Sequence, residues 1–309
     1  MTEAVLPWRL FAVRVRRVCR LSPTFRRVTF TGPDLDRFAD NGFDQRIKLV
    51  LPLPGAGGMA HLPGGPDWYA RWRELPDEQR NPVRTYTVRA VRPADREVDV
   101  DLVRHGDVGP ASRWAGVVRP GDAAALVGPD AGYDGEHGGV EFRPSAAASQ
   151  VLVAGDETAV PAVAAILERM PRRLAGEVLL EVPEPADTLP VQPPPGVRVS
   201  WLARGGAAPG SRLVPAVRSA AGRLLAGATV GAGAVGGPAL ADVDPDRGLL
   251  WEVPAGPPEA SAVQWYAWLA GEAGVIRTLR RHLVSERGLD RRSVAFMGYW
   301  RLGRAEDAG

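Results

Sequence analysis

Six short stretches in the first half of the chain alternate apolar and polar residues or form compact apolar blocks. They are FAVRVRRV, RRVTFTG, IKLVLPL, RTYTVRAV, REVDVDLVRH and DAAALVGP, with turn-forming residues between them. Alternation is cleanest at Val98, Val100 and Leu102, where a period of two puts the apolar side chains on one face. Six such strands without long helices between them predict a closed antiparallel β-barrel. The Gly- and Pro-rich stretch 52–66 reads as a loop, and WYARWREL at 68–75 as a short helix.

After a linker near Phe142 to Gln150 the pattern changes, which predicts one domain over residues 1–145 and a second over 146–309. VLVA at 151–154, EVLLEV at 177–182, VRVSWLA at 197–203, QWYAWLA at 264–270 and a last stretch SVAFMG read as strands. Helical patterns separate several of them: AVAAILERM, and a helix from Glu272 to about Arg287. Strands alternating with helices imply a Rossmann-like parallel sheet of the nucleotide-binding type. In the late helix Ile276, Leu279 and Leu283 share one face, and Arg277, Arg280 and Arg281 are expected to point elsewhere. No G-x-G-x-x-G follows VLVA or WYAWLA. Residues 205–262 are rich in Ala and Gly; SRLVPAVRSAAGRLL within them is amphipathic, so part is expected to be helical and the remainder a mobile insertion.

Composition narrows the classes without naming one. The 309 residues are 45% hydrophobic and 24% charged, as in globular chains, and the length suits two domains. A formal charge of +2 implies no strong nucleic-acid field. Arginines cluster in RVRRVCR at 14–20, but valines alternate with them, as on a solvated strand face. Cys19 is the only cysteine, which excludes an intrachain disulfide and a cysteine-rich metal site; it is expected to be inert and semi-buried. The four histidines show no metal-ligand spacing. No signal peptide and no apolar run approaching ~18 residues is visible. The expectation is a soluble, cytoplasmic, monomeric protein without metal, membrane or nucleic-acid partners.

Two stretches carry candidate chemistry. In RTYTVR at 84–89, Arg84 has a forked donor set suited to pyrophosphate, Tyr86 can lie against a flat ring system, and Thr87 can reach a ring edge. The same residues can equally form an ordinary outward strand face. In GDVGPAS, Gly109 permits close backbone approach, Pro110 opens a helix, and Ala111 and Ser112 present amides that favour phosphate. His105 can donate to a phosphate or ribose, although a lone histidine is more often structural, and Trp114 suits a core better than a ligand.

Taken in order, R-x-Y-T, H-G-x-x-G-P-A-x-x-W-A and P-G-D resemble the siderophore-interacting proteins, flavin-dependent ferric-siderophore reductases. The likeness continues through DQRIKLVLP at 44–52, GDETAVPAVAAIL at 155–167, WLAGEAGVIRTLRRHLVSERGLDR at 268–291 and GYWRLGR at 298–304. The resemblance implies an FAD-binding barrel, a nicotinamide-binding α/β domain and a relation to ferredoxin reductases. By motif it implies that Arg84, Tyr86 and Thr87 contact FAD, with His105, Gly109, Pro110, Ala111, Ser112 and Trp114 in the second FAD-binding segment. Asp156, Glu157 and Thr158 fall where NADPH or NADH approaches, and Gly271 and Glu272 end the neighbouring strand. Lys48 would face a ferric siderophore, with Arg301 and Arg304 as further substrate-binding candidates; Lys48 is otherwise a solvated strand lysine.

Two departures stand out: the segment between Gly206 and Gln264 is longer than the family usually has, and Gly274 stands where a serine often follows G-E-A. The implied reaction passes a hydride from NAD(P)H to FAD and single electrons on to siderophore-bound Fe(III), releasing Fe(II). Such chemistry is flavin-mediated and needs no protein general base, which suits a sequence without a triad or paired-carboxylate site. Alternative readings are a flavin reductase or electron-transfer partner, and a non-catalytic binding protein for iron chelates.

Overall fold

A computed structural model describes residues 5–104, 109–226, 250–254 and 264–303. They form two compact units that divide chiefly between Val140 and Glu141.

The first unit contains β1 (Trp8–Arg20), β2 (Phe25–Thr31), β3 (Arg46–Val50), β4 (Val83–Arg92), β5 (Glu97–Val103) and β6 (Ala123–Pro129). They close into an antiparallel barrel in the order β1-β2-β5-β4-β3-β6, as the alternation predicts. Phe11, Val28, Phe30, Ile47, Leu49, Val98, Val100, Leu102 and Leu126 fill its interior. Each such side chain contributes ~1.5–3 kcal/mol by leaving water.

The polar positions of β5 face outwards and are nevertheless buried, because arginines from β1, β2 and β4 cover them. Arg27 forks onto Asp101 at 2.7 and 2.8 Å, Arg92 holds both Glu97 and Asp99, and Arg16 reaches Glu97 at 2.7 Å. The arginines of β1 are therefore a solvated face with acidic partners across the sheet. A register shift between Val15 and Arg17 turns Val18 towards the core. Cys19 consequently pairs with Arg27 on the outer face and is exposed, not semi-buried.

Two helices complete this unit. The first, α1 (Trp68–Glu74), packs Trp68 and Trp72 on the outer-face residues Val50, Ala125 and Val127. Trp72 donates its indole N–H to Asn81 O at 3.0 Å, and Asn81 Nδ2 closes the preceding loop by donating to Leu51 O and Gly58 O. The second, α2 (Pro110–Val117), inserts Trp114 into the barrel core, stacked on Phe30 with ring centroids 6.3 Å apart.

The second unit runs β7 (Gln150–Gly155), α3 (Val160–Arg169), β8 (Ala175–Val182), β9 (Val197–Ala203), α4 (Leu213–Ala226), β10 (Trp251–Glu252), β11 (Trp265–Glu272), α5 (Ala273–Arg280) and β12 (Val294–Trp300). The sheet order is β10-β12-β11-β7-β8-β9, with β10 antiparallel and the other neighbours parallel. α4 packs on β7 and β8, and α5 on β11 and β12. Val217, Ala220, Ile276, Leu279 and Leu283 form a common core with Leu152, Leu269 and Phe296.

The amphipathic piece of 205–262 forms α4, as expected, and three other features of this unit differ from the expectation. The same stretch also supplies the short edge strand β10; residues 227–249 and 255–263 lie outside the described residues. The late helix stops being α-helical at Arg280 and continues as a π-helical turn over Arg281–Glu286. Arg280 is buried, at 8% exposure, and pairs with Glu252 at 2.6 Å. Its partner comes from β10, so periodicity within the helix carries no sign of it.

Among the described residues no helix is long and apolar enough to cross a membrane, and no group of His, Cys, Asp and Glu is arranged to hold a metal ion.

Candidate functional site

The β3–β4 ladder sorts the candidate residues of the barrel by face. Arg84 stands opposite Leu49 and Tyr86 opposite Ile47, both buried core positions. Directly opposed residues share a face, so Arg84 and Tyr86 lie on the barrel-interior side. Tyr86 packs partly against the core, and Arg84 Nη1 donates to Val83 O at 2.8 Å. Lys48 stands opposite Thr85 on the other face, where its Nζ donates to Thr85 Oγ1 at 2.8 Å. Thr87, opposite Arg46, is buried at 7% exposure.

The turn into α2 fits an anion. Gly109 is the N-cap residue with φ 86°, a conformation that suits glycine, and space is open where a Cβ would project. Pro110 occupies the first turn, and no side chain caps the helix. Amides at Ala111 and Ser112 thus start a helix whose dipole favours negative charge. The other end is braced: Arg26 Nη1 donates to Ala115 O at 2.8 Å and Gly116 O at 3.1 Å. Trp114 belongs to the core, as its residue type suggests. His105 lies outside the described residues.

In the second unit the chain passes from central β7 outwards through β8 and β9, then returns to lay β11 against the other side of β7. A switch point therefore opens between the carboxyl ends of β7 and β11, the usual ligand position in an open α/β sheet. Asp156, Glu157 and Thr158 follow β7, and Gly271 and Glu272 end β11, so the structure brings these five together.

The two acidic residues after β7 nevertheless turn inwards. Asp156, 2% exposed, accepts from Thr158 N at 2.9 Å, Thr158 Oγ1 at 2.5 Å, Glu272 N at 2.7 Å and Trp300 Nε1 at 2.8 Å. Burial, and then the neighbouring Glu157, push its carboxyl up to about 7 against the pull of those donors. Glu157, fully buried, forms a two-pronged pair with Arg204 at 2.5 and 2.6 Å. Their side chains build the wall of the switch point, while Thr158 and Glu272 are its partly exposed members.

Helix starts along this edge are also supplied from within. Glu181, fully buried, accepts from Gly210 N, Arg212 N and Leu213 N at the head of α4, at 2.7, 2.8 and 3.0 Å. Glu272 caps α5 by accepting from Val275 N at 2.9 Å. At α5 the Glu272 carboxylate takes the place that a glycine-rich loop leaves to a phosphate, whereas no side chain caps α3, the helix after β7. The Asp156–Trp300 link was not visible in the sequence, because the partners are 144 positions apart. Arg301 follows β12 at this end of the sheet, and Arg304 lies outside the described residues.

Comparison with known proteins bears on both units. The chain matches the siderophore-interacting FAD-binding domain over residues 14–133 and the siderophore-interacting protein family over residues 148–303. It therefore belongs to the siderophore-interacting protein family. The ferric vibriobactin reductase ViuB of Vibrio cholerae is 30% identical over 312 residues, spanning 99% of this chain and 93% of that one. The crystal structure of the siderophore-interacting protein SipS from Aeromonas hydrophila superposes with a TM-score of 0.67 at 30% identity, covering 97% of this chain and 94% of that one. A ferredoxin reductase of carbazole 1,9a-dioxygenase, 14% identical with a TM-score of 0.59, covers 96% of this chain and 71% of its own, and shares the fold.

Proposed function

We propose that the protein is an NAD(P)H-dependent ferric-siderophore reductase that holds FAD in its barrel unit and receives the nicotinamide donor at the β7–β11 switch point. The observation that carries this reading is the match of both units, in order, to siderophore-interacting models, beside 30% identity to a ferric vibriobactin reductase along nearly the whole chain.

The residues present fit the flavin. Arg84 would pair with the pyrophosphate, the amides of Ala111 and Ser112 would complete its cradle, and Gly109 leaves room for it. Tyr86 would meet the ring system, and Thr87, whose side chain lies on the Thr85 face, would reach its edge through the backbone N–H. When bound, FAD would supply the exchange between a two-electron donor and a one-electron acceptor.

The protein's own tasks are binding, orientation and electrostatics. At the second unit, Thr158 and Glu272 would meet the donor over a wall fixed by Asp156 and Glu157. Lys48, on the other face of the β3–β4 ribbon from Arg84, would attract an anionic ferric siderophore. Arg301 and Arg304 are the next candidates for that role. Ferric iron prefers hard oxygen ligands, and reduction to Fe(II) weakens their grip and permits release. Action as a cytoplasmic monomer belongs to the same proposal.

Purified protein, reconstituted with FAD and mixed anaerobically with NADH or NADPH, should lose its flavin absorbance. Reoxidation should then be faster with ferric chelates than with ferredoxin. Flavin that neither nicotinamide bleaches would overturn the reading, and a preference for ferredoxin would favour an electron-transfer partner.

A further inference from the structure

Asp156 joins the ends of three parallel strands. It follows β7, accepts the backbone N–H of Glu272 at the end of β11, and accepts the indole N–H of Trp300 at the end of β12. The approach is close. A Cβ added to Gly271 would lie 2.6 Å from Asp156 Oδ2, and Gly271 has φ 149°, so glycine is what lets β11 pass over the carboxylate. Thr158 fixes the other oxygen through two bonds. The carboxylate thus has little freedom, and an indole bonded to it has a defined ring plane. Trp300 itself is only partly buried.

Where Trp300 stands in the sheet gives this geometry a use. A dinucleotide in an open α/β sheet straddles the switch point, and its adenosine ribose lies near the carboxyl end of the second strand, which is β8 in this unit. The nicotinamide half then extends to the opposite side, over β11 and β12. Trp300 ends β12, on that side. A flat aromatic ring of fixed plane is suited to stacking on another flat ring.

We propose that Trp300 is the ring platform for the donor's nicotinamide and that Asp156 is the positioning residue that sets its plane. This rests on the switch point being the donor site. The Asp156 carboxylate touches neither donor nor flavin and acts through Trp300 and Glu272. Trp300 adds a binding residue to the switch point beyond Thr158 and Glu272.

The test uses flavin-loaded protein labelled with 5-fluorotryptophan, whose Trp300 resonance is identified by its absence in Trp300→Phe. Two probes are compared: a tetrahydronicotinamide dinucleotide, which carries the ring but donates no hydride, and ADP-ribose, which lacks the ring. Their 2′-phosphorylated forms are run in parallel. The ring-bearing probe should move the Trp300 resonance, and ADP-ribose should leave it in place. Asp156→Asn should move that resonance without ligand, because an amide group cannot accept both N–H donors as the carboxylate does. The same variant should weaken the ring-bearing probe at least tenfold and ADP-ribose less than twofold. A merely structural role would weaken both alike. Should Asp156→Asn fail to fold, Trp300→Ala should give the same selective loss. Equal effects on both probes, or an unmoved resonance at saturation, would overturn the proposal. If neither NADH nor NADPH bleaches the flavin of the parent, the broader reading of the donor site fails instead.

Discussion

Arg84 and Lys48 project from opposite faces of the same two-stranded ribbon: Arg84 stands across from buried Leu49, whereas Lys48 pairs with Thr85 on the outer face. One register step separates the two roles assigned to them. Their substitutions should therefore fail in different ways.

Replacing Arg84 with Ala should release flavin. A diphosphate left without its forked partner loses roughly 1.5–3 kcal/mol, the worth of a charged hydrogen bond. Arg198→Ala, on an exposed position of β9, is the control. Arg26 is unsuitable for that purpose because it braces the carbonyl end of α2. Dialysis followed by absorbance gives the flavin content, and equal retention in the two variants would remove Arg84 from the site.

Lys48→Ala should keep its flavin and its reduction by NAD(P)H, but raise KM for anionic ferric siderophores. An exposed charge contributes at most ~1 kcal/mol, so the rise should be no more than about fivefold. Added salt should narrow the difference. A neutral or cationic ferric chelate should be reduced almost normally; equal slowing with every chelate would make Lys48 an ordinary strand lysine.

Breaking the Glu157–Arg204 pair should be costly. Glu157 is fully buried and the Arg204 side chain 11% exposed, so Glu157→Ala removes both hydrogen bonds of a buried guanidinium and leaves it only Glu181, 3.9 Å away. A loss of roughly 3 kcal/mol in urea unfolding is expected, partly recovered in the Glu157→Ala, Arg204→Ala double variant. A loss below about 1 kcal/mol would mean that solvent reaches the pair.

Stability should respond to pH with two opposite signs. Hydrogen bonds from Arg92 and Thr29 outweigh burial at Asp99, and those from Arg280 and Arg291 do so at Glu252, so both carboxyls titrate below their ordinary values. Their contribution is present above the unfolded values of 3.8 and 4.5 and is lost as pH falls through the folded ones. Asp156 behaves oppositely. The folded chain keeps its proton up to about 7 while the unfolded chain releases it near 3.8, so stability falls as pH rises across that window. Asp156→Asn should therefore lose less stability than the parent between about pH 5 and pH 7.5. Parallel pH profiles of urea unfolding in the two proteins would contradict this.

Sequence periodicity exposes most of the fold because each barrel strand has one apolar face turned to the core, and because the central parallel strands are continuous apolar blocks. Val98, Val100 and Leu102 show the first signal, and Val151, Leu152 and Val153 the second. The strand β10 is not legible because two residues carry no period, and the reason for burying Arg280 lies in it. At the candidate site the motif order located Asp156, Glu157, Gly271 and Glu272 but not which way the carboxylates point. That depends on Arg204 and Trp300, which come from other strands. The exposure of Cys19 is not legible in the alternation, because a register shift in β1 reverses its face.

A single anaerobic turnover tests ferric-siderophore reduction most directly. FAD-loaded protein is reduced with one equivalent of NADH or NADPH, then mixed with a ferric siderophore in the presence of a ferrous-iron trap. Flavin absorbance should return as the ferrous complex forms, with two Fe(II) trapped for each flavin reoxidised. Flavin that stays reduced while ferric siderophore remains, or that reoxidises without trapped Fe(II), would contradict it.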